Sequence, residues 1–126
     1  MKPDNYPADP AAVWEHFYQI TRIPPPSKAE DAVRRYVIEQ AEACGASWQT
    51  DAEGNVVVRV AGSRGMEQRE AVIIQNHLDM VTVKTDDKHH DFHSDPLDLR
   101  VEDGWLRADR TTLGADNGIG CAAALA

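Results

Sequence analysis

The hydrophobic period of this sequence changes once, near Ser47, and that change limits the chain to folds that combine helices with strands. Before Ser47, the apolar residues Val13, Phe17 and Ile20 recur at helical spacing. After it, short apolar runs and alternating residues are separated by glycine-containing turns, which is typical of strands. This order predicts an α/β fold in which helices pack on a mixed β-sheet.

Two helices are predicted in the N-terminal third of the chain. Asp9 is a suitable N-cap with Pro10 at the first helical position, and the three prolines at 24–26 end that helix. Residues 27–30, Ser-Lys-Ala-Glu, have the spacing of a capping box. They predict a second helix, which ends at Gly45.

The strands are predicted in three places. Two hairpins are expected, one turning at residues 52–54 and the other at residues 103–104. Residues 71–75, Ala-Val-Ile-Ile-Gln, form a continuous apolar run, which predicts a strand covered on both faces. A polar loop occupies residues 84–95, and we expect it to be ordered by its neighbours and not by a metal.

The overall composition excludes several classes of function. The net charge is −8 and the basic residues are scattered, which argues against nucleic acid and anionic membrane surfaces as partners. No apolar run approaches the roughly 18 residues of a membrane-spanning helix, and no signal peptide is recognisable. Cys44 and Cys121 are the only cysteines, so no disulfide framework is expected and a cytoplasmic location is the default.

The C-terminal segment has an unusual composition. From about Asp116 it is rich in small residues, which suit a helix packed closely on a sheet. It stops at Ala126 within the apolar stretch, without a helix stop signal. We therefore expect residues 1–126 to form part of a larger domain.

Two short motifs could carry chemistry. In His77-Leu78-Asp79 the first and third side chains share a face if the strand continues, and an imidazole beside a carboxylate suits a metal site. Asp116 lies among three glycines, which predicts a turn that brings this acid to a tight position. Taken alone, a hydrogen-bonded histidine without metal and an N-cap aspartate are the more common outcomes.

The polar loop contains a third group of candidate ligands. These are three histidines and four aspartates: His89, His90, His93, Asp86, Asp87, Asp91 and Asp95. Such a group could bind a cation, but a long hydrophilic loop is more often simply solvated, and we favour that interpretation.

Considered together, residues 14–125 resemble the cytosolic aminoacyl-histidine dipeptidases of bacteria, a branch of the co-catalytic zinc aminopeptidase and deacylase superfamily. The stretches that carry the resemblance are Ile23-Pro24-Pro25-Pro26-Ser27, Asp51-Ala52-Glu53-Gly54-Asn55, His77-Leu78-Asp79-Met80-Val81, His90-Asp91-Phe92 and Gly114-Ala115-Asp116-Asn117-Gly118-Ile119-Gly120. Their order and spacing are far more specific than any single motif, so the metal-site interpretation becomes the stronger one.

The resemblance implies a role for each of three residues. His77 would be a terminal ligand of one metal, Asp79 the acid of the catalytic site that orients His77 and tunes the metal centre, and Asp116 the bridge between two metals. Zinc is the implied metal, although manganese or cobalt would also suit these ligands. Two such cations activate a shared water and polarise the scissile carbonyl of a dipeptide. The resemblance further implies a strained backbone, with a cis peptide bond, between Asp116 and Asn117.

Other parts of the family pattern have no counterpart in these 126 residues. They are a Glu-Glu pair, a further acid, a distal histidine and a lid-like dimerisation domain. The implied function is hydrolysis of dipeptides, with histidine as the second residue, by a full-length homodimer of which this chain is an N-terminal portion. Two alternatives stay open. One is a tripeptidase or amide deacylase, which more often has a second acid where this chain has Asn117, and the other is a non-catalytic truncated chain.

Overall fold

The secondary structure consists of three helices and four short strands, in a computed structural model that describes all 126 residues. In chain order the elements are α1 (Ala11–Arg22), α2 (Asp31–Ala43), β1 (Ser47–Thr50), β2 (Val56–Arg59), β3 (Leu99–Glu102), β4 (Trp105–Ala108) and α3 (Ala115–Leu125). The chain divides into two compact units, one of residues 34–75 and the other of residues 1–33 with 76–126. The predicted α/β class is confirmed. None of the helices combines the length and the apolar character needed to cross a membrane.

Helix α1 is present where the apolar spacing predicts it. It begins at Ala11, and Pro10 is its N-cap in an extended conformation, so the helix starts one residue later than predicted from a cap at Asp9. No side chain caps this end. Phe17 and Ile20 are both buried, as their helical spacing suggests.

Helix α2 begins later than predicted, and the capping box at residues 27–30 is wrong. These residues form a turn before the helix, in which the amide of Ala29 donates to the carbonyl of Pro26. Lys28 takes a φ of 70°, and its amide donates to the Glu30 carboxylate. The helix therefore starts at Asp31, and the hydroxyl of residue 27 is free to bind elsewhere.

Helix α3 packs against α1. Its contact surface is built from small residues: Ala122 is completely buried and Cys121 is nearly so. A Cβ on Gly118 would lie only 3.2 Å from Cε2 of Phe17, so the two helices approach each other closely. The predicted small-residue helix is confirmed, but it packs on a helix and not on a sheet, because small side chains allow either kind of close contact.

A second part of the core joins the N-terminal segment to the β3–β4 hairpin. Its buried members are Tyr6, Met80, Leu97 and Leu99. The hydroxyl of Tyr6 donates to the carbonyl of Trp14 on helix α1 at 3.1 Å. This cluster fixes the backbone at residue 80, immediately after the His77-Leu78-Asp79 motif.

The strands form two separate two-stranded antiparallel sheets. Strand β1 pairs with β2, and β3 pairs with β4, so both predicted hairpins are confirmed. The strands do not join into the predicted mixed sheet, and the strand predicted at residues 71–75 is not formed. The side chains of Val72 and Ile73 are 87% and 89% exposed. The reason is physical: an apolar run becomes a strand only when a neighbour completes its hydrogen-bond ladder, and no strand pairs with it here.

The polar loop at residues 84–95 is held by contacts with its neighbours, as predicted. Lys88 is buried, and its ammonium group donates to Asp98 at 2.9 Å and to Asp109 at 3.0 Å. Lys84 donates to the carbonyl of His90 within the loop. The two bonds of Lys88 tie the loop to the residues that flank the β3–β4 hairpin.

Candidate functional site

The His77-Leu78-Asp79 motif lies just before the buried Met80. The amide of Met80 donates to the carbonyl of Pro25, and Met80 forms an isolated parallel bridge with Pro26. This bridge sets the position of the motif although the predicted strand before it is not formed. His77 and Asp79 are on the same side, since Nδ1 of the histidine lies 3.2 Å from Oδ1 of Asp79 and 3.1 Å from its carbonyl oxygen.

Asp116 reaches the other side of the same imidazole. Its Oδ1 lies 3.0 Å from Nε2 of His77, although the two residues are 39 positions apart. The predicted convergence of His77, Asp79 and Asp116 is therefore confirmed. The side chain of Asp116 is 97% exposed and that of His77 is 52% exposed, so the contact faces solvent.

The backbone at the start of α3 determines where Asp116 points. Gly114 is the N-cap residue in a left-handed conformation, with a φ of 69°, so the alternative interpretation of Asp116 as the N-cap is wrong. A side chain on Gly114 would also collide with Met80, whose Sδ would lie 2.8 Å from the added Cβ. Asp116 and Asn117 have non-helical backbone angles, and the peptide bond between them is cis, as predicted.

Two further contacts hold these segments together. Nδ2 of Asn117 donates to Oδ1 of Asn76 at 3.1 Å, and the thiol of Cys121 donates to the carbonyl of His77 at 3.2 Å. A side chain on Gly120 would collide with both asparagines, so this glycine makes room for their bond. Asn76 and Cys121 were not among the predicted site residues. No pattern in the sequence distinguishes them, because their partners lie more than 40 positions away.

Ser27 is a further residue that sequence reasoning assigned elsewhere. Its hydroxyl donates to Oδ2 of Asp79 at 2.5 Å. The resulting chain of contacts runs from Ser27 through Asp79 and His77 to Asp116. The only hint in the sequence was the position of this serine within the Ile-Pro-Pro-Pro-Ser stretch of the resemblance.

The contacts change the proton affinity of two groups. The hydrogen bond with Asp116 raises the pKa of the His77 imidazole above its ordinary value, and the carbonyl of Asp79 adds to the effect. The hydrogen bond from Ser27 lowers the pKa of the Asp79 carboxyl, and the neighbouring charge of His77 lowers it further. Asp79 is therefore an ionised acceptor at neutral pH, suited to a proton on Nδ1 of His77.

His77 and Asp116 are chemically suited to a divalent cation such as zinc. Ligand atoms about 2.1 Å from a cation, at angles of about 90–110°, are separated by about 3.0–3.4 Å. The 3.0 Å between Nε2 of His77 and Oδ1 of Asp116 falls within this range. No group of three or more His, Cys, Asp or Glu side chains is arranged to hold a metal ion. His77 and Asp116 thus offer two donor atoms at a spacing that a cation could bridge.

Two histidines of the polar loop, His90 and His93, take part in local contacts. The ring of His90 meets that of Phe92 edge to face, with centroids 4.6 Å apart. The amide of His93 donates to Asp91, which in turn donates its own amide to Asp95. These bonds are those of a compact polar loop.

Comparison with known proteins finds similarity to one class of enzyme. No protein-family model matches the chain. In both sequence and fold, however, the chain is similar to dipeptidases, and the resemblance to aminoacyl-histidine dipeptidases drawn from its motifs is confirmed.

Two relatives carry this similarity. The cytosol non-specific dipeptidase of Escherichia coli (strain K12) is 43% identical over 117 residues, which are 93% of this chain and 24% of the relative. The crystal structure of the aminoacylhistidine dipeptidase from Vibrio alginolyticus superposes with a TM-score of 0.88 at 42% identity, again over 93% of this chain and 24% of that one. The chain therefore spans about a quarter of the length of the dipeptidases it matches.

Proposed function

We propose that this chain contributes part of the active site of a metal-dependent dipeptidase. His77 and Asp116 are the proposed metal ligands, and Asp79 is the carboxylate that orients His77 within the proposed catalytic site. The observation that carries the proposal is the contact between Nε2 of His77 and Oδ1 of Asp116, with Nδ1 of the same ring turned toward Asp79. The dipeptidase names of two relatives at 42–43% identity support the class of reaction.

The proton on His77 is central to this proposal. An ionised Asp79 accepts only, so it favours the imidazole tautomer that carries hydrogen on Nδ1. The lone pair of Nε2 then points toward Asp116, into solvent. A carboxylate and a neutral imidazole that share one exposed point are ligands that zinc prefers, and manganese or cobalt would also accept them. The zinc pair of such an enzyme supplies polarisation of the peptide carbonyl and activation of a water.

Substrate, location and assembly follow from the relatives as proposals. The name of the Vibrio alginolyticus protein favours dipeptides with histidine as the second residue, whereas that of the Escherichia coli protein favours a broader range. The latter name also favours the cytoplasm as location. A homodimer is proposed for the full-length enzyme only. The net charge of −8 remains unfavourable for nucleic acid as a partner.

Metal binding is the direct test. Zinc affinity of the 126-residue chain is measured by competition with a chromophoric chelator. We expect His77→Ala and Asp116→Ala each to weaken zinc binding by at least about tenfold, because each removes one of two ligands. His89→Ala and Asp86→Ala serve as matched controls from the polar loop and should leave the affinity unchanged. Equal zinc binding by wild type and His77→Ala would refute the proposed site.

Hydrolysis is the second measurement. Two ligands without a general base cannot assemble a complete two-metal centre, so we expect turnover of a histidine-containing dipeptide by this chain to stay at background. Turnover abolished both by a chelator and by Asp116→Ala would show that the chain is active by itself. Cleavage of acetylated amino acids in preference to dipeptides would favour the deacylase alternative.

A further inference from the structure

The Asp79 carboxylate is held at both of its oxygens. Oδ2 accepts the hydrogen bond from the hydroxyl of Ser27 at 2.5 Å, and Oδ1 lies 3.2 Å from Nδ1 of His77. Ser27 is 52 positions from Asp79 in sequence, so the contact is a product of the fold and not of local spacing. The hydrogen bond of its side chain goes to Asp79, which in turn contacts His77.

The backbone places Ser27 at this point from both sides. On its N-terminal side, Pro25 and Pro26 are joined to Met80 by the carbonyl–amide bond and the parallel bridge. On its C-terminal side, the turn at Lys28 and Ala29 bends the chain away, with the Ala29 amide bound to Pro26. Ser27 is thus fixed beside residue 79 before its own side chain contributes anything.

We propose that Ser27 is a positioning residue of the metal site, which acts through Asp79 to keep the proton of His77 on Nδ1. The inference rests on the proposed function. A carboxylate bound at one oxygen can rotate about its terminal torsion, which is broad and roughly two-fold. The serine bond removes that freedom, so Oδ1 stays in line with the imidazole.

The competing acceptor makes this restraint important. In the neutral imidazole one proton is shared between two positions, and an aspartate faces each of them. A proton on Nδ1 points to Asp79 and leaves Nε2 able to bind a metal. A proton on Nε2 points to Asp116 and blocks the ligand atom. Loosening Asp79 therefore shifts the balance toward the form that does not bind metal.

The size of the effect is limited by a second acceptor. The carbonyl oxygen of Asp79 lies 3.1 Å from Nδ1 of His77 and is retained in any Ser27 variant. Loss of a group that orients a ligating histidine directly costs about 10–100-fold in metal affinity. Ser27 acts one residue further away, and we therefore expect a loss of about 3–10-fold.

The experiment compares Ser27→Thr with Ser27→Val in the full 126-residue chain. The two side chains have nearly the same shape, and only threonine retains the donor, so any effect of packing cancels between them. Ser63→Ala, an exposed serine remote from the motif in sequence, is the control. Zinc affinity is measured by chelator competition, and the tautomer of His77 is measured without metal from its ring ¹⁵N chemical shifts, at a pH where the ring is neutral.

We expect Ser27→Val to lose about 3–10-fold in zinc affinity and to shift the ring toward the Nε2–H tautomer, while Ser27→Thr and the control match wild type. Equal tautomer populations in the valine and threonine variants would overturn the positioning role. The two hypotheses separate cleanly. If wild type binds no zinc, the proposed function fails, and the ¹⁵N shifts alone decide the role of Ser27. If zinc binds equally to all four proteins, the metal site is retained and the role of Ser27 is refuted.

Discussion

The substitution Gly120→Ala tests whether the bond between Asn76 and Asn117 supports the site. An added Cβ would lie 2.6 Å from Oδ1 of Asn76 and would also collide with the side-chain oxygen of Asn117. The 3.1 Å bond between the two amides must then break or move. Because Asn76 adjoins His77 and Asn117 adjoins Asp116, the disturbance lies next to both proposed ligands.

The expected change in stability combines three contributions. Alanine in place of glycine inside a helix is favourable by about 1 kcal/mol. Loss of the amide bond costs about 0.5–1.5 kcal/mol, and forcing extra volume into a filled space costs about 1–3 kcal/mol. The net expectation is that Gly120→Ala lowers the free energy of unfolding by about 2 kcal/mol, measured by urea denaturation. We also expect weaker zinc binding.

The same substitution in a second background tests whether the two asparagine side chains cause the loss of stability. In a background that carries both Asn76→Ala and Asn117→Ala, the colliding oxygens are gone. Gly120→Ala should then lose its cost and become favourable by about 1 kcal/mol, which is the helix propensity alone. The same destabilisation in both backgrounds would refute the reasoning, because it would place the cost of the methyl group elsewhere.

Two further predictions concern the scaffold. Burial raises the pKa of Tyr6 to about 12 from its ordinary 10.0. The neutral phenol therefore contributes fully to stability below pH 10, and this contribution is lost as the pH rises to about 12. Across that range the urea midpoint should fall in wild type and fall less in Tyr6→Phe. Lys88→Met should lower the urea midpoint, because it leaves Asp98 and Asp109 without their shared cation. The exposed control Lys28→Met should have little effect. Equal midpoints for the two variants would contradict this role for Lys88.

The parts of the fold that depend on near neighbours were predictable from the sequence. Helix α1 follows from its apolar spacing, and both hairpins follow from a turn between two strand-like runs. Residues 71–75 show that a local pattern alone does not determine whether a strand forms. Their apolar character indicates that they could form a strand, but a strand also needs a partner for its backbone, and residue type carries no information about which partner is available.

The site was likewise predictable only in part, because some of its contacts join residues that are far apart in the sequence. Residue chemistry alone favoured an N-cap role for Asp116 and a metal-free role for His77, and only the joint order of several motifs reversed that judgement. Ser27 is the clearer example of a role that the sequence did not reveal, because the serine–glutamate spacing at 27–30 is a valid helix-start signal. The turn at Lys28 moves the helix start to Asp31, and the serine hydroxyl binds Asp79 instead. In a capping box the serine oxygen would accept a hydrogen bond from a backbone amide, whereas here the hydroxyl lies outside the helix and donates to a carboxylate that the fold brings close. Short polar residues beside a predicted helix start are therefore candidates for a site as well as for a cap, and the distinction depends on what the rest of the chain brings within reach.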